Sequence, residues 1–169
     1  LAYARSSADD LVATAMDGQP VGTAPHRPSS EWRLHAAIYA ARPEVMAVVH
    51  THSPRATALS CARKGIPPFH YMVLLAGGPI ACAAHATAGT QALAENAVSA
   101  MAGRRAVLLA NHGVVAAGAT LAGAHALALE VENLAGQYLD LLAAGLKPVL
   151  LTDAELAQAA THFAGYGRG

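Results

Sequence analysis

Val45-Met46-Ala47-Val48-Val49-His50-Thr51-His52 runs into Ser53-Pro54. The run is apolar and β-branched up to its histidines, which predicts a buried strand over 45–52. Ser53-Pro54 breaks the strand and opens a helix to about Ala62. Alternate residues of a strand share a face, so His50 and His52 leave from the same side. Two imidazoles so placed can share one cation. The pattern alone fits two surface or core histidines equally well.

Upstream, Ser29-Ser30-Glu31 reads as a helix start. A serine at the cap accepts backbone N–H bonds, and Glu31 in the first turn suits the positive helix end. Trp32, His35, Ala36 and Tyr39 follow at helical spacing, and Pro43 closes the element. Before it, Ser7 with Asp9 and Asp10 predicts a short helical turn. Leu11 to Met16 is expected as a strand ended by the turn Asp17-Gly18, and 22–28 as loop.

Downstream, Gly65 to Pro68 reads as a turn, 69–75 as a short strand or irregular segment, and 80–84 as strand-like. A helix is expected from Thr90 to Met101, closed by Gly103. Ala106 to Ala110 is an apolar strand delivering Asn111-His112-Gly113, and Val114 to Ala117 a second strand. Strand ends followed by glycine are places where polar side chains face a cleft, which makes His112 a third candidate ligand; the alternative is a plain turn. A long helix runs from Leu121 to Ala144, closed by Gly145 and Pro148. Thr152-Asp153-Ala154-Glu155 is a capping-box signature, and the tail after Phe163 is rich in glycine. The pattern is mixed α and β in one domain, a sheet with helices on its faces.

Composition narrows the function. The chain has 169 residues, is 54% hydrophobic and only 13% charged, and its formal net charge is zero. No basic stripe suits nucleic acid, and no apolar run is long enough to span a membrane. So few charges cover a surface poorly, and association into a homo-oligomer is expected. Cys61 and Cys82 have no metal-ligand spacing and form no disulfide framework, so reduced thiols and a cytoplasmic setting are expected. Glu31 could be a fourth ligand or general base, or a solvated first-turn acid. Tyr71 could donate a proton, or be a buried tyrosine with a satisfied hydroxyl. His70 and His85 are reserve ligands, and His125 a helix residue near the core.

Taken together, Pro28-Ser29-Ser30-Glu31-Trp32-Arg33-Leu34-His35, Ala47-Val48-Val49-His50-Thr51-His52, Ile66-Pro67-Pro68-Phe69-His70-Tyr71-Met72 and Asn111-His112-Gly113 resemble the class II aldolase/adducin family, in order and across essentially the whole chain. The resemblance implies a three-layer αβα domain with a central, mostly antiparallel sheet. It implies Zn²⁺, or another divalent ion, on His50, His52 and His112, with Glu31 as ligand and acid/base. Tyr71 would protonate the aldehyde oxygen in a neighbouring subunit's site, Ser29 and Ser30 would contact the substrate phosphate, and Phe163 and Tyr166 would wall the aldehyde end. The implied reaction cleaves a ketose 1-phosphate of the fuculose-1-phosphate kind, through a zinc-stabilised ene-diolate, to dihydroxyacetone phosphate and an aldehyde, in a homotetramer.

Family members begin with a helix, a Gly-Asn-containing phosphate loop and a Thr-Pro-x-Gly segment. None precedes Leu1, so the chain is expected to be one class II aldolase-like domain over 1–169 without that part. The family's epimerases carry Asp where Glu31 stands. Decarboxylation of a 3-oxo sugar-acid phosphate, or dehydration of methylthio-ribulose phosphate, stays open. A non-catalytic adducin-like module is disfavoured, because such modules lack the metal histidines.

Overall fold

Along β3 (Ala106–Leu109) every residue is buried, and along β4 (Gly113–Gly118) every residue but the last. Strands covered on both faces belong in the middle of a sheet. A computed structural model describing residues 6–163, apart from the Phe163 side chain, places them there. The four-stranded sheet has the order β1-β4-β3-β2, with β1 spanning Ala47–Thr51 and β2 Cys82–Ala83. β1 and β3 run antiparallel to β4, whereas β2 is parallel to β3. The parallel pair needs a crossover, supplied by α3 (Gln91–Ala100).

Strand alternation sorts side chains into two cores. Leu108, Val114 and Ala116 face α2 (Pro54–Cys61) and α4 (Leu121–Ala143) through Ala56, Leu59, Leu127, Val131 and Leu134. Val107, Leu109, Val115 and Ala117 face α1 (Trp32–Ala41) and α3 through Leu34, Ile38, Leu93 and Ala97. The fold is therefore a three-layer αβα arrangement with a mostly antiparallel sheet. Each fully buried leucine contributes roughly 1.5–3 kcal/mol of apolar transfer. The apolar stripe of α4, Ala124, Leu127, Ala128, Val131, Leu134 and Ala135, has the period of one helix face.

Helix boundaries follow local chemistry. The Thr90 and Thr120 hydroxyls accept the N–H groups of Leu93 and Gly123 at the starts of α3 and α4. Thr152 and Glu155 form the expected reciprocal box at the start of α5 (Asp153–Phe163), at 2.7 Å and 3.3 Å. Among the described residues no helix is long and apolar enough to cross a membrane.

Three segments differ from the sequence reading. Residues 11–16 form no strand: Thr14 makes a single bridge with Pro20 across the Asp17-Gly18 turn. Pro20 has no N–H to extend a ladder. Within 69–75 the chain is a 3-10 helix, Tyr71–Ala76. The His70 ring caps it by accepting the Met72 N–H, and Gly77 ends it at φ +87°. A short apolar run without alternation does not distinguish helix from strand. Within 80–84, Ile80 bridges Ile66 and only Cys82–Ala83 joins the sheet.

Gly113 sits where β4 begins against the end of β1. A Cβ there would run into the Thr51 carbonyl oxygen and lie 2.9 Å from Cδ2 of His52. Gly113→Ala is expected to spread the two strands and cost about 1–3 kcal/mol. Urea unfolding reads this directly, and an unchanged midpoint would mean that the strands admit a methyl group without strain.

Candidate metal centre

Pairing of β1 with β4 sets His50 opposite Val115, whose side chain lies in the core shared with α1 and α3. His50 therefore points toward the layer that carries α1. Glu31 is the residue at the N-terminal cap of α1. The Ser29 hydroxyl accepts its N–H at 3.2 Å, and the Ser29 carbonyl accepts that of Trp32 at 3.2 Å. His52 lies one residue beyond β1. His112 is carried by the turn between β3 and β4, where its N–H reaches the Leu109 carbonyl at 3.0 Å.

These elements bring the three histidines together. Ring centroids lie 5.0, 4.8 and 4.9 Å apart in the three pairings. One ligand atom from each falls within 4.8 Å of the others. A tetrahedral ion with bonds of about 2.1 Å would hold its nitrogens somewhat closer, at roughly 3.4 Å. A bound ion would draw the nitrogens together by rotation of the side chains. Glu31 Oε2 is 3.7 Å from Nε2 of both His50 and His112.

The donor set fits a cation. The His50 Nδ1 lies 3.0 Å from the Val114 carbonyl oxygen. A carbonyl only accepts, so Nδ1 carries the proton and Nε2 presents a lone pair. Glu31 Oε2 and His50 Nε2 are both buried without a hydrogen-bond partner. Two acceptors facing each other without a donor leave room for positive charge, and buried acceptors are seldom left in that state. His112 Nδ1 is likewise buried and unpartnered.

Burial favours the neutral form of two of these rings, His50 and His112. It holds the His50 imidazole down to about 4, helped by the neighbouring His112 and His52 rings and opposed by the Val114 carbonyl. Burial also lowers His112, against the pull of the Glu31 carboxylate. On α1, burial lowers His35 in the same way. Neutral imidazole is the form that binds metal.

The remaining predicted residues fall in different places. Ser29 and Ser30 are exposed beside Glu31. Gly89 closes on them from the loop before α3: a Cβ there would stand 2.9 Å from the Ser30 carbonyl oxygen, and Arg33 reaches the Gly89 carbonyl at 3.4 Å. Tyr71 is 46% exposed, with its ring stacked on His70 at 4.7 Å. Its 3-10 helix packs on α4 and α5, in the layer across the sheet from α1. His70 lines a cleft with Phe69, Gln137 and Leu141, apart from the three-histidine group. His125 is exposed on α4 rather than near the core. The Phe163 side chain and Tyr166 lie outside the described residues.

Sequence reasoning missed the Val114 carbonyl, which no side-chain pattern announces. It also missed the conformation of Asn111, whose φ is +57°. An asparagine before His-Gly is a usable signal for that, since asparagine tolerates the left-handed region.

Comparison with known proteins agrees with this geometry. The family model "Class II Aldolase and Adducin N-terminal domain" matches residues 1–139. A 5-methylthioribulose-1-phosphate/5-deoxyribulose-1-phosphate aldolase of Rhodospirillum rubrum is 48% identical over 160 residues, covering 94% of this chain and 71% of that protein. An L-fuculose phosphate aldolase of Escherichia coli K12 is 45% identical over 141 residues, covering 83% of this chain and 66% of its own length. A solved L-fuculose 1-phosphate aldolase superposes with a TM-score of 0.89 at 39% identity, over 97% of this chain and 76% of that one. A match of this extent, on a fold that gathers the histidines, means that the chain belongs to the class II aldolase and adducin family, as a homologue of its aldehyde-lyases.

Proposed function

We propose that the protein is a metal-dependent aldolase that cleaves a ketose 1-phosphate to dihydroxyacetone phosphate and an aldehyde. The observation that carries this reading is the convergence of Glu31 Oε2 and His50 Nε2, buried acceptors with no donor between them. His50, His52 and His112 would hold the ion. An all-imidazole set suits zinc and leaves the ion its full charge. A divalent ion bound there would supply positive charge to offset the negative charge that develops as the bond breaks.

The chain's own residues account for the protons. Cleavage between C3 and C4 removes the proton of the C4 hydroxyl and returns one to C3, so two acid/base groups are required. Glu31 is the group for carbon, because its carboxylate already faces the histidines. Tyr71 is the group for the oxygen, acting in the site of a neighbouring subunit of a homotetramer. Its exposure, in the layer across the sheet from Glu31, supports a role outside its own site. Ser29 and Ser30, exposed next to Glu31, are proposed to contact the phosphate, and Phe163 and Tyr166 to wall the aldehyde end.

Two substrate classes follow from the named relatives. Greater identity and coverage favour a 5-methylthio- or 5-deoxy-ribulose 1-phosphate over fuculose 1-phosphate. Incubating the zinc-loaded protein with each ketose phosphate and measuring dihydroxyacetone phosphate decides between them. Release from neither, with metal bound, would sink the aldolase reading and return attention to decarboxylation or dehydration.

Glu31→Gln is expected to keep its metal and lose about 10²- to 10⁴-fold in kcat. Metal content and kcat measured on one preparation test this, and full turnover would remove Glu31 from the mechanism. Mixing Tyr71→Phe with Glu31→Gln subunits is expected to restore part of the activity that each lacks alone. No recovery in verified mixed oligomers would place Tyr71 outside the neighbour's site.

The metal-free protein should also respond to acid. His50 titrates lower when folded, near 4, than the usual 6.5. Between those values the unfolded chain binds the extra proton, so stability is full above pH 6.5 and falls as pH drops toward 4. The loss is roughly 3 kcal/mol at most. Urea unfolding of chelator-treated protein at pH 7.5 and 4.5, beside His50→Gln, isolates the effect. Equal pH dependence in both proteins would show that His50 is not its source.

A further inference from the structure

Helix α2 joins the two halves of the histidine site, and its N-terminal end is not held in the ordinary way. Ser53, at the N-terminal cap, makes no side-chain capping bond. Glu132, from the middle of α4, supplies the cap instead. Its Oε1 accepts the Arg55 N–H and its Oε2 the Ala56 N–H, each at 2.8 Å. These amides belong to the first turn, where no intrahelical partner exists. A carboxylate bound to both also meets the positive end of the helix. The pinned residues follow His52 by three and four positions.

The other end of α2 grips the turn that carries His112. The Ser60 carbonyl accepts the Asn111 N–H at 3.0 Å. The Ser60 hydroxyl accepts the His112 N–H at 3.3 Å while donating to the Thr57 carbonyl at 2.8 Å. Among the described residues Ser60 is the fully buried polar side chain of the core. Asn111 Nδ2 donates to the Cys61 carbonyl at 3.4 Å, and Arg63 Nε donates to Asn111 Oδ1 at 3.0 Å. Arg63 and Asn111 are also the two non-glycine residues with positive φ among those described, at +53° and +57°. Arg63 takes its conformation in the backbone turn that closes α2, where its N–H reaches the Ser60 carbonyl at 2.9 Å and the Lys64 N–H the Leu59 carbonyl at 3.1 Å; Asn111 takes its own where its side chain is bonded to both Cys61 and Arg63.

We propose that Glu132, Ser60 and Asn111 are positioning residues for the three histidines, keeping α2 as a strut that fixes His112 relative to His50 and His52. The proposal rests on the metal-binding reading above. Nothing in the sequence pattern joins Glu132 to the site, 80 positions after His52. It acts through the backbone that follows His52, Ser60 and Asn111 through the backbone of His112.

The test is Co²⁺ binding to the full chain, by chelator competition and visible absorption, for wild type, Glu132→Ala and Asn111→Gly. Glycine keeps the left-handed conformation accessible and removes only the side-chain bonds. Loss of such supporting contacts typically weakens metal affinity about 10- to 100-fold. Both variants are expected to fall in that range, with a shifted absorption band and an unchanged far-ultraviolet spectrum. A purely structural role would lower the unfolding midpoint and leave affinity and band alone. If Glu132→Ala does not fold, Glu132→Gln, which keeps one acceptor, is expected to show a smaller weakening of the same kind. Variants that match a Co²⁺-binding wild type in affinity and band overturn the positioning role alone. A wild type that binds no Co²⁺ overturns the metal reading and the positioning role together.

Discussion

The register of β1 against β4 is the constraint on which the site depends. Thr51 opposite Val114 and His50 opposite Val115 put the imidazole of His50 on the face covered by α1. A slip of one residue would turn every side chain of β1 to the other face. His50 would then point at α2 and α4, away from Glu31, and Val48 would leave the core it shares with Leu34 and Ile38. The apolar residues before the histidines therefore hold the register, and the histidines inherit their direction from it. Gly113 adds a local condition, since its missing side chain lets the Thr51 carbonyl and the His52 ring come close.

Within that frame the electrostatics are one-sided. His50 spends its only N–H on the Val114 carbonyl, so what remains facing Glu31 is a lone pair. Protonating the ring would satisfy the carboxylate, but burial disfavours the imidazolium and holds its pKa near 4. The site therefore settles neither as an ion pair nor as a hydrogen bond at neutral pH. It stays a convergence of acceptors, with the Nε2–Oε2 separation at 3.7 Å. This is unfavourable for the bare protein and favourable for a cation, which needs lone pairs already cleared of protons.

Much of this was legible in the sequence because it rests on local rules. The β-branched run before His50, the apolar strand before Asn111 and the Thr152 capping box of α5 each carry their own signal. The His-x-His spacing gave a shared face, and Asn-His-Gly gave a strand end. What stayed hidden lies between elements. That α1 covers the face of the sheet from which His50 leaves, and so brings Glu31 to it, depends on packing between distant elements, which no single segment encodes. The 3-10 helix over 71–76 eluded the pattern because its apolar residues have neither period. The cap that Glu132 places on α2 has no signature, since Ser53-Pro54 already looks like an adequate helix start.

The unfavourable features of the molecule are concentrated at one end of the sheet. Among the described residues, the unpartnered buried atoms of Glu31, His50 and His112, the left-handed Asn111 and the lowered His50 and His112 fall within or beside the turn between β3 and β4, the end of β1 and the start of α1. The opposite region is conventional: leucine, isoleucine and valine against alanine-rich helices, with apolar side chains buried on both faces of the sheet. Such a division is what a preorganised site requires. Groups that would relax on their own, by pairing or by turning to solvent, must be held apart by a body stable enough to oppose them. The sheet and α4 provide that body. The three-layer arrangement is thus the means by which Glu31, His50 and His112 keep buried polar atoms without partners, close to one another and to His52.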